Sequence, residues 1–535
     1  MPVSPDMIII GNNVFTGTDD HPISAAILIK ENKITNIIDK AKINDYISED
    51  TQLLDFGNNL IMPGFHDFHI HLLLGSMLTN SVQLQDATSA MEAANLVKQF
   101  ALENPDLPII IGSGWDNNAW VDSKVVDKRY LDEAVSDRPV ILYQAEFHSV
   151  WVNSIMLEVA GINNQTPNPE FGEVVKNENG EPTGLLLEHA VGLVTKAMPM
   201  DLNRKEQLLE QFLQEAAQYG VTAVHDLLRL PEMSTEEATI YADFEKKGKL
   251  TARIHFVAPL NGDISEAKRL RDEHHTDMVQ FTGFKQFIDG VITSYTAYLD
   301  EPYTNRPETS GGTVFPEDLI KKWTIEADME NFCVRFHCVG DKAVKLALDT
   351  FEEAQQQNGT RDSRHAIEHI EMIQQDDIPR FGELGVLASI QPEHINGSSY
   401  EVFQDLIGEE RMKLYMLQKT LQDAGATLVY GSDYPVVGLN PLSAIYRAVT
   451  RLDDADVCWN GAEKVTLANA LRAYTLGSAY GAFREQELGT LEVGKLADLI
   501  VLDRDLFNVP PEEIKTAKVI FTMVDGQVVY ENSIV

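Results

Sequence analysis

Eight short apolar runs, each followed by a stretch long enough for a helix, set the strongest limit on what this chain can fold into. The first ends at residue 71, and the others cover 221–226, 252–257, 284–289, 333–337, 364–369, 385–390 and 427–433. Strand–helix alternation repeated eight times is the pattern of an α/β fold of the (β/α)8 type, in which parallel strands close into a barrel. The intervening segments support it. Leu208, Leu209, Phe212, Leu213 and Ala216 share one helical face, and Gly220 follows as a cap. The C-terminal ends of barrel strands converge on one face, and active sites lie there.

Five of the eight runs finish on a residue that can hold a metal: His69 with His71, Lys285, His337, His369 and Asp433. In extended chain, residues i and i+2 face the same side, so His69 and His71 can turn both imidazoles to one ion. The apolar Leu60-Ile61-Met62 leads into this pair, so the segment reads as one buried strand ending in histidines. Singly, each residue has a duller role open to it. His337, beside Cys338, could be a core histidine. Lys285, between Phe284 and Phe287, could snorkel. Asp433, after Gly431-Ser432, could cap a turn. Independent accidents would not fall at the same end of successive strands, and that joint placement favours a metal site.

Both chain ends are rich in short strands. Residues 7–10, 26–29 and 34–38 alternate with turn signals, and 497–502 and 519–524 mirror them, with Asp525-Gly526 as a hairpin turn. A composite β-sandwich from 1–62 and 478–535 is therefore expected around a barrel at 63–477. Residues 72–220 exceed what one crossover helix needs and carry strand-like runs at 107–111 and 139–143. They read as an insertion after the first strand, expected over the active-site face.

The chain has 535 residues, 44% hydrophobic, with a formal net charge of −39. So acidic a surface repels nucleic acid and anionic lipid, which leaves a small-molecule substrate as the expected partner. Three cysteines without a CxxC pair point to a reducing compartment. Neither a signal-peptide pattern nor an apolar run of membrane-spanning length is read, so a cytoplasmic protein is expected. A homodimer is the default assembly.

Pro63-Gly64-Phe65-x-Asp67-x-His69-x-His71 resembles the first-strand motif of the amidohydrolase superfamily, and specifically its YtcJ-like branch, amidohydrolase family 3. The resemblance runs over nearly the whole chain. Gly112-Ser113-Gly114-Trp115-Asp116, His148-Ser149-Val150-Trp151 and Pro182-Thr183-Gly184 are similar to motifs of that branch's insertion. Lys285-x-Phe287-x-Asp289-Gly290, His337-Cys338-Val339-Gly340-Asp341, Ile367-Glu368-His369, Gln391-Pro392-Glu393-His394 and Gly431-Ser432-Asp433-Tyr434-Pro435 continue the order.

This resemblance implies a binuclear metal centre, with two zinc ions as the expected divalent cofactor. His69 and His71 would bind one ion, and His337 and His369 the other. Lys285, carbamylated, would bridge them. Asp433 would ligate the first ion and act as the catalytic base. The implied activity is hydrolysis of a carbon–nitrogen bond other than a peptide bond, in an amide, N-acyl or N-formyl compound, by a metal-bridging hydroxide. Two alternatives stand beside it: a mononuclear deaminase-like hydrolase on the same barrel, and a non-catalytic regulatory relative. Trp115, Asp116, His148, Asp289, Tyr295 and His394 are the expected substrate contacts. Tyr295 stands where the family usually carries arginine, and His66 where it carries an aliphatic residue. Glu368 and Asp67 are candidates to accept from the ligand histidines. His66 is expected to pack or to support the ligands, His225 and His255 to pack, and His274 and His275 to be solvated.

Overall fold

The computed structural model describes residues 4–117, 120, 126–145, 149–170, 172–198, 202–227 and 237–532. Eight strands follow one another around a barrel in chain order: Phe65–Ile70, Val221–Asp226, Arg253–Pro259, Val279–Phe287, Cys333–Cys338, Ala366–His369, Leu387–Ile390 and Thr427–Tyr430. Every neighbouring pair along this order is parallel. The first, second, fifth, sixth and seventh are buried at every position. That burial on both faces explains their continuous apolar character.

The ring is nearly closed by the segment after the last strand. His71 N donates to Tyr434 O at 2.8 Å, and Asp433 N donates to His69 O at 2.7 Å. This approach requires glycine at 431, where a Cβ would lie 2.5 Å from the backbone nitrogen of His69.

Several strand boundaries differ from the sequence expectation; the last strand, for one, ends at Tyr430, three residues before Asp433. The fourth strand starts earlier, at Val279, because its first residues pair with the third strand. The sixth starts only at Ala366, because Arg364 adopts a left-handed φ of 46° that interrupts extended chain.

A further correction concerns the first histidines. Leu60-Ile61-Met62 and the histidine segment are not one strand. Leu60–Pro63 belongs to a sheet built from both chain ends, and Phe65–Ile70 to the barrel. The break falls at Gly64, where a Cβ would meet the Thr222 side chain at 2.3 Å.

The terminal sheet has eight strands. Along its main path the order is Gln527–Glu531, Val519–Val524, Leu499–Leu502, Leu60–Pro63, Met7–Val14, Ile23–Lys30 and Lys33–Ile38, and Gln52–Asp55 also pairs with Met7–Val14. Its apolar core includes Ile9, Ile27, Ile61, Leu499, Val501 and Phe521. Arg253, from the third barrel strand, forks onto Asp498 at 2.8 and 2.9 Å and reaches Asp525 at 3.0 Å.

Residues 72–212 form a separate compact unit. Its six-stranded sheet runs Gly172–Lys176, Pro182–Glu188, Ser149–Val152, Val140–Gln144, Ile110–Trp115 and Val82–Gln83. Among the described residues, no helix is long and apolar enough to cross a membrane. His274 corrects another expectation. It is 8% exposed and lies edge-on to Phe256, while His275 next to it is exposed.

Candidate metal centre

Three buried side chains from opposite ends of the barrel sequence meet where the ring closes. Nε2 of His69 lies 3.2 Å, and Nε2 of His71 3.0 Å, from Oδ1 of Asp433. The orientation of His69 is set from behind, where its Nδ1 lies 2.9 Å from Oε2 of the buried Glu368. A carboxylate has no proton to give, so Nδ1–H donates to it, and Nε2 is the nitrogen turned to Asp433. Burial alone would raise the Asp433 carboxyl. The His69 and His71 imidazoles outweigh it and hold that carboxyl well below the usual carboxylate range.

A second group shares Asp433. One ligand atom each of His369, His394 and Asp433 lies within 4.8 Å of the others. The His394 ring is nearly parallel to that of His369, at 5.6 Å and 18°. The His337 ring centroid is 4.4 Å from that of His369. Its Nε2 donates to the Gly290 carbonyl at 3.1 Å, which leaves Nδ1 as the nitrogen with a lone pair. Lys285 is 3% exposed, and its Nζ has no hydrogen-bond partner. Burial pulls its ammonium down to about 8, against the charge of Glu368.

A buried amine without a hydrogen-bond partner, among imidazoles and a carboxylate, fits a divalent ion. Neutral imidazole and carboxylate oxygen are the donors that zinc and its neighbours take. The residues that could hold it are His69, His71, Asp433, His337, His369, Lys285 and His394.

The model of the amidohydrolase family matches residues 52–530 of this chain. The chain belongs to the amidohydrolase family. This amidohydrolase is 28% identical to the protein YtcJ of Bacillus subtilis (strain 168), over 98% of this chain and 99% of that one. It is 26% identical to the N-substituted formamide deformylase of Arthrobacter pascens, over 99% of each chain. Among solved structures, it is similar to an uncharacterized metal-dependent hydrolase from Pyrococcus furiosus, with a TM-score of 0.76 and 27% identity. That likeness covers 93% of this chain and 99% of the other. The protein is thus a hydrolase.

The other sequence-predicted residues of this amidohydrolase are placed less uniformly. Asp289 is fully buried and accepts from the backbone N–H groups of Val339, Gly340 and Tyr298 at 3.0, 2.8 and 2.8 Å. Its oxygens tie together the loops after the fourth and fifth strands, and burial pushes its carboxyl up to about 7. Tyr295 lies under the Arg306 guanidinium at 3.9 Å and accepts from Asn305 through its hydroxyl. Trp115 is 1% exposed in the core of the 72–212 unit, and its indole N–H donates to Leu142 O at 2.9 Å. Within that unit it is a packing residue. Asp116, beside it, is partly buried. His148 lies outside the described residues. Asp67 does not accept from an imidazole. Its Oδ1 takes the backbone N–H groups of His69 and Ser432, at 3.1 and 3.0 Å.

Sequence reasoning passed over two residues of this site. Glu371 follows His369 by two positions and is 8% exposed. Burial, then the charges of Asp289 and Asp433, raise its carboxyl to about 8. Arg335, two before His337, is 2% exposed and pairs with Glu368 at 2.7 Å. A charged residue inside an otherwise apolar strand was the available signal for Arg335.

Proposed function

We propose that this hydrolase cleaves a carbon–nitrogen bond in a small amide, N-acyl or N-formyl compound, using two zinc-class ions. His69, His71, His337, His369, Asp433 and a carbamylated Lys285 would hold them. The meeting of Asp433 with the Nε2 atoms of His69 and His71, in a buried site, carries this reading. The formamide deformylase relative, similar over 99% of each chain, supports the class of bond.

A divalent ion here supplies a water acidified from 15.7 toward about 7 and a polarised substrate carbonyl. The chain does the rest. Asp433, held as a carboxylate, takes the proton of the attacking water and returns it to the departing nitrogen. The water oxygen ends on the carbonyl carbon, the C–N bond breaks, and an amine leaves with the proton. His394, whose Nε2 lies 3.5 Å from Oδ2 of Asp433, would hydrogen-bond the bound substrate.

The test is Asp433→Asn assayed against a library of amides, N-formyl compounds and esters. Loss of about 10²–10⁴-fold in turnover is expected. Unchanged hydrolysis would remove Asp433 as the base, and a wild type inert across the library would favour a non-catalytic protein.

A further inference from the structure

Beneath the metal centre the barrel carries an unusual polar layer. The His66, His225 and His255 rings sit with centroids 4.8–5.1 Å apart. All three are buried, and five of their six ring nitrogens have no hydrogen-bond partner. Three imidazoles suggest a further metal ion, but the sixth nitrogen argues against it. Nδ1 of His225 lies 3.0 Å from Nη1 of Arg335. A guanidinium only donates, so Nδ1 accepts and Nε2 of His225 carries the ring proton. The group then lacks a third lone pair for a cation.

That contact instead shows what Arg335 is attached to. Its Nε donates to Oε1 of Glu368 at 2.7 Å. Its Nη2 donates to the backbone carbonyl of Phe68, and its plane covers the Phe68 ring at 3.9 Å. Each arm of the fork therefore has its own acceptor. Glu368, with 0% exposure, uses its other oxygen for His69.

We propose that Arg335 is the positioning residue of the metal centre. Anchored by His225 and the Phe68 carbonyl, it holds Glu368 where that carboxylate accepts the Nδ1 proton of His69. Arg335 can offer only donors, so Glu368 is kept an acceptor on both oxygens. His69 therefore has one tautomer and one orientation, with Nε2 directed to the ion. The inference rests on His69 being a ligand, as in the proposed function. Arg335 touches neither substrate nor ion in this role.

The experiment uses the full chain, stripped of metal and titrated with zinc against a competing chromogenic chelator. Arg335→Met is expected to bind the first zinc about 10–100-fold more weakly than wild type while still melting cooperatively. Arg335→Lys keeps the charge but cannot form the fork, and is expected to lose affinity as well. The cobalt(II)-loaded variants should show altered absorption bands, because the His69 ligand is no longer held. A merely structural arginine would lower the melting temperature and leave zinc affinity and the cobalt spectrum unchanged. Affinity within twofold of wild type in a folded variant overturns the proposal. Should Arg335→Met fail to fold, Arg335→Lys decides on the same criteria. A wild type that binds no zinc would instead sink the metal reading itself.

Discussion

Ile370 is a β-branched residue held at a φ of 50°, directly after His369 at 74°, and Asp433 stands at 61°. Such backbone costs about 1–3 kcal/mol per residue and persists only where surrounding contacts impose it. Here it turns the chain sharply at two of the candidate ligands, one at the last residue of the sixth strand and one three residues past the eighth. Lys285 shows a different kind of tension, an amine buried without a hydrogen-bond partner. A carbamate would give that position two oxygens and remove the conflict. Lys285→Ala is therefore expected to lower bound metal, from the proposed two ions per chain toward one. Hydrolysis should fall at least tenfold, and short carboxylic acids should restore part of it. Elemental analysis alongside the assay checks both. Undiminished metal content in Lys285→Ala would rule out the bridging role.

Strands and helices of the barrel are joined by buried polar pairs as well as by apolar packing. Asp328, on the helix Glu317–Met329, accepts from His365 at 3.2 Å, Asn358 at 2.9 Å and Arg361 at 2.8 Å. His365 can donate there because its other nitrogen accepts from Val334 N at 3.0 Å. Burial alone would raise the Asp328 carboxyl, but these partners win and bring it down to about 2. A carboxyl whose folded value is depressed stabilises the fold above its unfolded value of 3.8, and that contribution is lost as pH falls through about 2. Asp328→Asn should therefore melt below wild type at neutral pH. The gap should shrink between about pH 4 and pH 2. Melting curves at stepped pH check this, and a gap that widens on acidification would contradict it.

At the scale of the molecule, the two chain ends are brought into one sheet, and a buried ion pair attaches that sheet to the barrel. Arg253 is 0% exposed and Asp498 7% exposed. Removing one partner of such a pair leaves an uncompensated charge, which typically costs about 3–5 kcal/mol. Asp498→Ala is expected to lose stability of that order in urea titrations, reduced to the extent that Asp525 compensates. A loss below about 1 kcal/mol would mean that Asp525 alone neutralises Arg253.

Sequence by itself determined the number and order of the barrel strands and which of them carry a metal-competent residue near or just past their ends. Both properties are local: apolar runs make strands, and the residue at a strand's end is named by its position. Tertiary structure alone decided which of those ends touch. His69 and Asp433 are distant in sequence, and only the near-closure of the barrel, through Gly431, places them 3.2 Å apart. The break at Gly64 between Leu60–Pro63 and the first barrel strand, the burial of His274 and the commitment of Asp289 to three backbone donors also depend on neighbours from other elements. So does the line from His225 through Arg335 and Glu368 to His69. Side-chain direction and hydrogen-bond partner are set by packing between strands, and no periodicity along one strand encodes them.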